Sequence, residues 1–418
     1  MLRSQGARAS RPGVACMNER LLNGSFLLVL ASNAVLGAPM PMLIILGGLA
    51  GILLAPFDAL ATVPVSVQML AGLVAAAPMS VFMGRYGRKL GFLVAAGLAF
   101  AGGLAGMLAL FWSSFWMLCL GHACLGAALI SFGYFRFAAA ELVAEKWRPT
   151  AISFTLGAGL VAAVLGPEIF ILTRDAFQPI PFAGAYLAIA AIAAAGSVLV
   201  LVTRYPPPPA QRRDGQAPAV ASARVIVRRP KVAVALVASA ASYAAMVLLM
   251  TPTPLAMVGC GFSDAQAGDV IRWHVIAMFA PSFFTGLLIS RFGSSTIVTT
   301  GAMLLGLSAV AAIAGITLVH FYVSLILLGI GWNFGFVGAT AMLTESLDAT
   351  ERPVVQGVND TGVALASTIA SFGSGALISA FDWTTVALAS LPVVVAIVLA
   401  TLVLRLTASS RALGARRS

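Results

Sequence analysis

Residues 80–111 run SVFMGRYGRKLGFLVAAGLAFAGGLAGMLALF. One apolar segment ends in Arg85-Tyr86-Gly87-Arg88-Lys89. From Leu90 no Lys, Arg, Asp or Glu occurs until Arg136. An apolar run of about 20 residues can cross the hydrocarbon layer as a helix, because each backbone polar group finds its partner inside the segment. The same alternation of apolar run and basic connection extends outward over nearly the whole chain. Hydrophobic residues make up 60% of the 418 and charged residues 9%, and the mean hydropathy is +0.99. A soluble core of this size needs a polar coat that such a composition does not supply. The expected class is an all-α integral membrane protein.

Twelve transmembrane helices are expected, in two six-helix bundles. In the first half the spans are 23–50, 62–83, 90–112, 115–137, 151–173 and 183–203. In the second they are 232–258, 270–290, 297–319, 322–346, 358–380 and 384–405. The expected domains are a tail at 1–22, bundles at 23–203 and 232–405, a linker at 204–231 and a tail at 406–418. The linker holds Pro206 to Pro209, Arg212, Arg213, Arg224, Arg228 and Arg229, a Pro-rich basic composition.

Of the 25 Lys and Arg residues, all but Arg174 and Arg272 fall in the tails, in alternate connections or at helix ends of one side. Basic loops stay in the cytoplasm during insertion. Both termini and the linker are therefore expected to be cytoplasmic. Usage rich in Ala, Gly and Arg points to a bacterial source, and so to the inner membrane. The net charge of +11 belongs to these helix ends and to anionic lipid heads rather than to nucleic acid. Trp112, Trp116 and Trp383 fall at expected outer ends, as in an aromatic belt.

Cys16, Cys119, Cys124 and Cys260 form no CxxC, and His122, His274 and His320 lie on different spans. No metal site, disulfide framework or cofactor is expected. The apolar run after residue 22 is too long for a signal peptide, and Met17 is an alternative start. No Gly-x-x-x-x-Gly-Lys-Ser/Thr occurs, which argues against ATP drive.

The halves echo each other. Pro39-Met40-Pro41 matches Pro252-Thr253-Pro254, Arg85-Tyr86-Gly87 matches Arg291-Phe292-Gly293, and Arg148-Pro149 matches Arg352-Pro353, in the same order. Six plus six parallel repeats imply a two-fold axis along the membrane normal.

On these residues the chain resembles the major facilitator superfamily of secondary transporters. Arg85-Tyr86-Gly87-Arg88-Lys89, with Gly286, Leu288, Arg291 and Gly293 in the second half, is similar to the family's cytoplasmic loop motif. Gly84 and Ser290 stand where that motif has Asp, and Ser80 where it has Gly. His122 stands where the family often carries an Arg in span 4. Gly166-Pro167 resembles the antiporter signature of span 5, whose earlier Gly is Ala162 here. The resemblance implies that spans 1, 4, 7 and 10 line a central cavity, while spans 2, 5, 8 and 11 join the bundles.

Asn33, His122, Tyr243, Trp332 and Asn333 then become cavity candidates, each equally readable as a helix–helix contact. His122, about 10 Å from the outer end of its span by helix rise, could carry a coupling proton or be a neutral bonded histidine. Glu168 and Arg272 sit at similar outer depth, as a pair or as two residues reaching the interface separately. Asp360 is expected to open span 11, either capping it or facing Arg85 or Arg88 across the bundles. Arg85, Arg88, Lys89, Glu168, Arg272, Arg291 and Asp360 make up the gate candidates. Gly97, Gly102, Gly103 and Gly106 are expected to permit close helix packing.

The function implied is alternating-access transport of a small neutral or amphipathic organic molecule, proton-coupled, by a monomer. Sparse cavity charge argues against strongly charged substrates. Export of drug-like compounds is favoured slightly over import of a neutral nutrient or a vitamin such as riboflavin. A membrane sensor or an intramembrane enzyme is a distant alternative, without the soluble domain or the cluster of acids and histidines each would need.

Overall fold

A computed structural model describes residues 23–144, 147–206, 225–348 and 351–415. The 1–22 tail, most of the linker and the last residues of the chain lie outside these. Each expected span is a helix or a bent pair of helices. Span 1 is Gly24–Gly37 with Pro39–Leu54, span 2 Val63–Tyr86 and span 3 Arg88–Phe111. Span 4 is Phe115–Phe132 with Phe135–Glu141, span 5 Arg148–Thr173 and span 6 Ala183–Val202. Span 7 is Pro230–Met250 with Thr253–Gly259, span 8 Asp264–Phe279 with Ser282–Phe292 and span 9 Ser294–Ala314. Span 10 is Leu318–Glu345, span 11 Arg352–Ala380 and span 12 Trp383–Ala415. Among the described residues, 10 helices are long and apolar enough to cross a membrane, and the bent span 8 makes an eleventh. In span 5 the apolar portion is Gly157–Thr173. Large apolar side chains such as Val319, Leu120 and Leu172 are exposed. In water that would be a liability; in lipid it is the matching surface.

The breaks in spans 1 and 7 fall at the two proline motifs. Proline lacks the N–H that would close the helical turn, and its ring crowds the preceding carbonyls. Span 8 bends by 41° at Ala280-Pro281. Pro149 and Pro353 occupy the first turns of spans 5 and 11, where no backbone bond is lost.

The repeat extends to conformation. Gly87 and Gly293, in the matching tight turns, have φ of 93° and 81°, a region costly for residues with a Cβ. Beside them the guanidinium of Arg85 lies 5.4 Å from the Tyr86 ring centre and that of Arg291 5.4 Å from Phe292. The next residue in each half ties its helix to the end of the following span. Arg88 Nη2 bonds Glu141 Oε1 at 2.8 Å, and Ser294 Oγ donates to Glu345 Oε2 at 2.9 Å.

Three of the four span 3 glycines sit at crossings. A Cβ on Gly102 would come within 2.7 Å of the Gly121 carbonyl, one on Gly103 within 2.7 Å of the Ala190 nitrogen, and one on Gly106 would strike the Tyr186 ring; Gly97 faces open space. Spans 9 and 10 use the same device, where a Cβ on Gly301 would meet the Gly331 carbonyl at 2.8 Å. Trp112 and Trp116 are exposed, but Trp383 is buried with its ring 5.3 Å from Phe321. It packs a helix start and is not part of a surface belt.

Candidate functional site

The face bearing the 2–3 and 8–9 turns is called here the basic face, its opposite the far face. Among the described residues, the polar contacts that join the two bundles all lie toward the far face. Arg272 Nη2 (span 8) meets Glu168 Oε1 (span 5) at 2.6 Å. Arg174 Nη1, just past span 5, meets Asp264 Oδ2 at 3.4 Å. Ser66 Oγ of span 2 and Ser371 Oγ of span 11 bond at 3.0 Å. Close approaches reinforce this seam, with Gly375 against Thr62 and Gly48 against Leu255. On the basic face the described bonds stay within one bundle. Arg85, Tyr86, Phe137, Val358 and Asp360 are exposed there. Among the described residues, the two bundles are therefore held together by polar contacts toward the far face and not on the basic one.

The Glu168–Arg272 pair is thus present, with a third member that sequence reasoning missed. Arg272 Nη1 also meets Asp269 Oδ1 at 2.9 Å, and the Tyr322 hydroxyl of span 10 donates to Asp269 Oδ2. One guanidinium serves two carboxylates, and the surplus negative charge is steadied by a phenol.

His122 does not open on the cavity. It is wholly buried inside the first bundle. Its Nδ1 is 2.9 Å from Gln68 Oε1 (span 2), and its Nε2 is 2.8 Å from the Tyr186 hydroxyl (span 6). An amide oxygen can only accept, so Nδ1 carries the proton and Nε2 accepts from Tyr186. Gly47 of span 1 leaves room for the ring; a Cβ there would sit 2.9 Å from His122 Cε1. Gln68 and Tyr186 carry no sequence signal beyond being polar-tipped residues inside apolar spans.

Asn333 is likewise engaged as a clamp. Its Nδ2 donates to the Met278 carbonyl and to Ser282 Oγ, both at 2.7 Å, and its Oδ1 accepts from Thr285 Oγ1 at 2.7 Å. These groups flank the bend of span 8, so the side chain occupies the gap left by the broken helix. Asn33 ties span 1 to span 5 by donating to the Thr155 carbonyl at 2.8 Å. Gly166 lets span 5 press on the break of span 1, where a Cβ would come within 2.6 Å of the Ala38 carbonyl.

The loop-motif cations anchor the first bundle. Besides Arg88, Lys89 Nζ donates to the Leu201 carbonyl at 2.5 Å. Asp360 corrects its expectation. Span 11 starts at Arg352, so Asp360 lies two turns inside the helix and cannot cap it. It accepts a 3.3 Å bond from Asn359 and pairs with neither Arg85 nor Arg88 in this state.

Tyr243 and Trp332 do come together. Tyr243 stands edge-on to Trp332 at 5.2 Å and to Phe336 at 5.1 Å, while Trp332 and Phe336 stack at 5.3 Å. Phe279 of span 8 closes on Trp332 at 6.2 Å. Trp332 Nε1 is buried without a hydrogen-bond partner, and the Tyr243 hydroxyl makes no bond among the described residues. A buried donor left unpaired is costly. Tyr243, Trp332, Phe336 and Phe279 thus form a packed aromatic cluster with Trp332 only 5% exposed.

Comparison with known proteins fits this arrangement. The Major Facilitator Superfamily model matches residues 59–271 and 254–417. The chain is 38% identical over 383 residues to the riboflavin transporter RfnT of Brucella anthropi, covering 91% of this chain and 95% of that protein. It is 30% identical to the MFS-type transporter YdeG of Bacillus subtilis, covering 71% and 72%. The fold resembles the crystal structure of the nucleoside transporter NupG, with a TM-score of 0.73, 14% identity and coverage of 91% and 99%. It also resembles that of the E. coli fucose:proton symporter FucP, with a TM-score of 0.58, 14% identity and coverage of 90% and 97%. A two-bundle helical architecture, a matched pair of basic turns and this family match have one conclusion: the chain belongs to the major facilitator superfamily of membrane transporters and is not an enzyme.

Proposed function

We propose that this transporter carries riboflavin, or a close relative built of a flat fused ring and a polar chain, into the cell. What supports the substrate is the 38% identical riboflavin transporter together with the aromatic wall of Tyr243, Trp332 and Phe336. The wall is the observation that carries the proposal: aromatic rings of spans 7 and 10 gather around a buried indole N–H that has no partner in this structure, and a flavin ring taken up among them would supply both a stacking surface and an acceptor. A neutral vitamin also agrees with the sparse charge in the spans. It displaces the export of drug-like compounds that sequence alone favoured slightly. Import follows from chemistry, since a nutrient scarce outside must be gathered inward against its gradient.

The protein works by alternating access as a monomer in the bacterial inner membrane, with its termini and the basic face in the cytoplasm. A proton gradient drives accumulation. Uptake of labelled riboflavin by a riboflavin-requiring host expressing the chain tests the reading, as does uptake by vesicles with and without an imposed pH gradient. Accumulation above background that is lost in Trp332→Ala and reduced in Trp332→Phe is the expected result. No uptake in either system, with the protein present in the membrane, overturns it.

A further inference from the structure

Span 8 is held in two different ways on the two sides of its bend. Its outer half, Asp264–Phe279, buries eight residues and is fastened to span 10 along its length. The Tyr322 hydroxyl donates to Asp269. His274 Nδ1 donates to the Leu325 carbonyl at 2.7 Å, and Asn333 Nδ2 to the Met278 carbonyl at 2.7 Å. Between these bonds the backbones nearly touch, since a Cβ on Gly329 would fall 2.6 Å from the His274 carbonyl oxygen. The basic-side half, Ser282–Phe292, buries Thr285 and no other residue. Phe283, Phe284 and Leu287 stand exposed, and a Cβ on Gly286 would meet nothing within 4 Å. This loose half nonetheless borders the other bundle, for a Cβ on Gly157 of span 5 would lie 3.1 Å from the tip of the Phe283 ring.

Asn333 Nδ2 also reaches Ser282 Oγ at 2.7 Å, which pins the first residue of that half beside Pro281. Beyond this pivot, the polar tie to span 10 is a bond that can be exchanged. The Thr285 hydroxyl has one proton and two acceptors, Asn333 Oδ1 at 2.7 Å and the Pro281 carbonyl of its own helix at 2.8 Å. Giving the proton to the Pro281 carbonyl releases span 10 without stranding the hydroxyl. We propose that Ser282–Phe292 is a gate on the basic side, hinged at Pro281, with the Thr285–Asn333 bond as its catch. The outer half stays with span 10 while the gate swings beside span 5, opening and closing the basic-side edge of the seam between the bundles. Asn333 follows Trp332 in the chain, so the catch sits next to the aromatic cluster. The part the gate plays in transport rests on the flavin reading above; its motion does not.

The test uses the full-length protein in nanodiscs, with its own cysteines replaced by serine and spin labels at exposed sites. One pair joins the gate to span 12, Leu287→Cys with Leu388→Cys. A control pair joins the outer half of span 8 to the same point, Trp273→Cys with Leu388→Cys. Leu287 lies six residues past Pro281, about 9 Å along the helix, so a swing through the whole 41° of the bend carries it about 6 Å. Wild type should give two distances for the gate pair, differing by up to that amount, and one for the control pair. Thr285→Val keeps the shape and loses the hydroxyl. It should shift the gate populations about fivefold toward the released distance, the usual worth of one neutral hydrogen bond. Thr285→Ser keeps the hydroxyl and should match wild type. An unchanged control pair shows that the variant is folded. A single gate distance that Thr285→Val leaves in place, or equal shifts in both pairs, overturns the gate. Riboflavin uptake should fall by a similar factor in Thr285→Val and hold in Thr285→Ser, with riboflavin binding unchanged in both. A shifted gate with wild-type uptake overturns its role in transport. No uptake by wild type overturns the flavin reading, and the distances still decide the gate.

Discussion

Arg272 Nη2 and Glu168 Oε1 meet at 2.6 Å across the two bundles, while the other arm of the same guanidinium holds Asp269 at 2.9 Å. The asymmetry predicts unequal effects. Glu168→Gln leaves Arg272 paired with Asp269, and a pair this exposed contributes less than about 1 kcal/mol. Arg272→Gln strands two carboxylates and should open the far face further. A Cys in place of Ser66, in a Cys260→Ser background, reports opening by its labelling rate. The expected order is wild type, then Glu168→Gln within about fivefold, then Arg272→Gln clearly faster. The double exchange Glu168→Arg with Arg272→Glu should rescue only in part, because the new carboxylate lies beside Asp269. Equal labelling in all variants would show that these residues merely anchor their helices.

Removing His122 should cost stability more than coupling. His122→Ala leaves the Gln68 carbonyl and the Tyr186 hydroxyl without partners in a buried site, about 1–3 kcal/mol for each group, and also opens a cavity. Thermal unfolding of the purified protein should fall markedly, while the folded fraction still accumulates substrate under a pH gradient. Normal stability with loss of gradient-driven uptake would return the proton-carrying role to His122.

Gly126 offers a packing test with a built-in control. A Cβ there would fall on the backbone of Gln68, whereas one on Gly97 meets nothing within 4 Å. Gly126→Ala should destabilise at the upper end of the ~1–3 kcal/mol typical of overpacking, because the obstacle is backbone. Gly97→Ala should be neutral or slightly stabilising. Comparable midpoints for both variants would contradict the crossing of spans 2 and 4 described here.

Glu351 ties the start of span 11 to Arg229 at the start of span 7 by a two-pronged pair of 2.9 and 2.8 Å. The bonds from Arg229, helped by the Asp348 amide, hold the Glu351 carboxyl below its ordinary range. A depressed carboxyl stabilises the fold above its ordinary range and loses that contribution as pH falls through the lowered value. Wild type should therefore exceed Glu351→Gln in thermal stability near neutral pH, with the gap closing in acid. A gap independent of pH would remove the ion pair from the explanation.

Hydropathy and the proline and turn motifs made the spans and the two-fold repeat legible, because those features are local; the breaks at the prolines came only with the structure. Gln68, His122 and Tyr186 lie on three different spans, and only bundle packing says that they meet. Asp360 was misplaced because Gln356, Asn359, Asp360 and Thr361 look too polar for a span. Hydropathy reports immersion in lipid, whereas the helix itself begins where Pro353 can occupy a first turn.

Where spans 2 and 11 touch, the seam joins two neutral hydroxyls, Ser66 and Ser371, with a glycine beside a threonine. Such a joint is weak by construction: a neutral hydrogen bond nets about 1 kcal/mol, and water replaces each partner once the helices part. A doorway that must open and shut in every turnover needs a catch of this kind, firm enough to stop leakage and light enough for thermal motion to lift it. Converting both serines to alanines would leave an oily closure, which ought to stick, so that turnover slows although the substrate still binds.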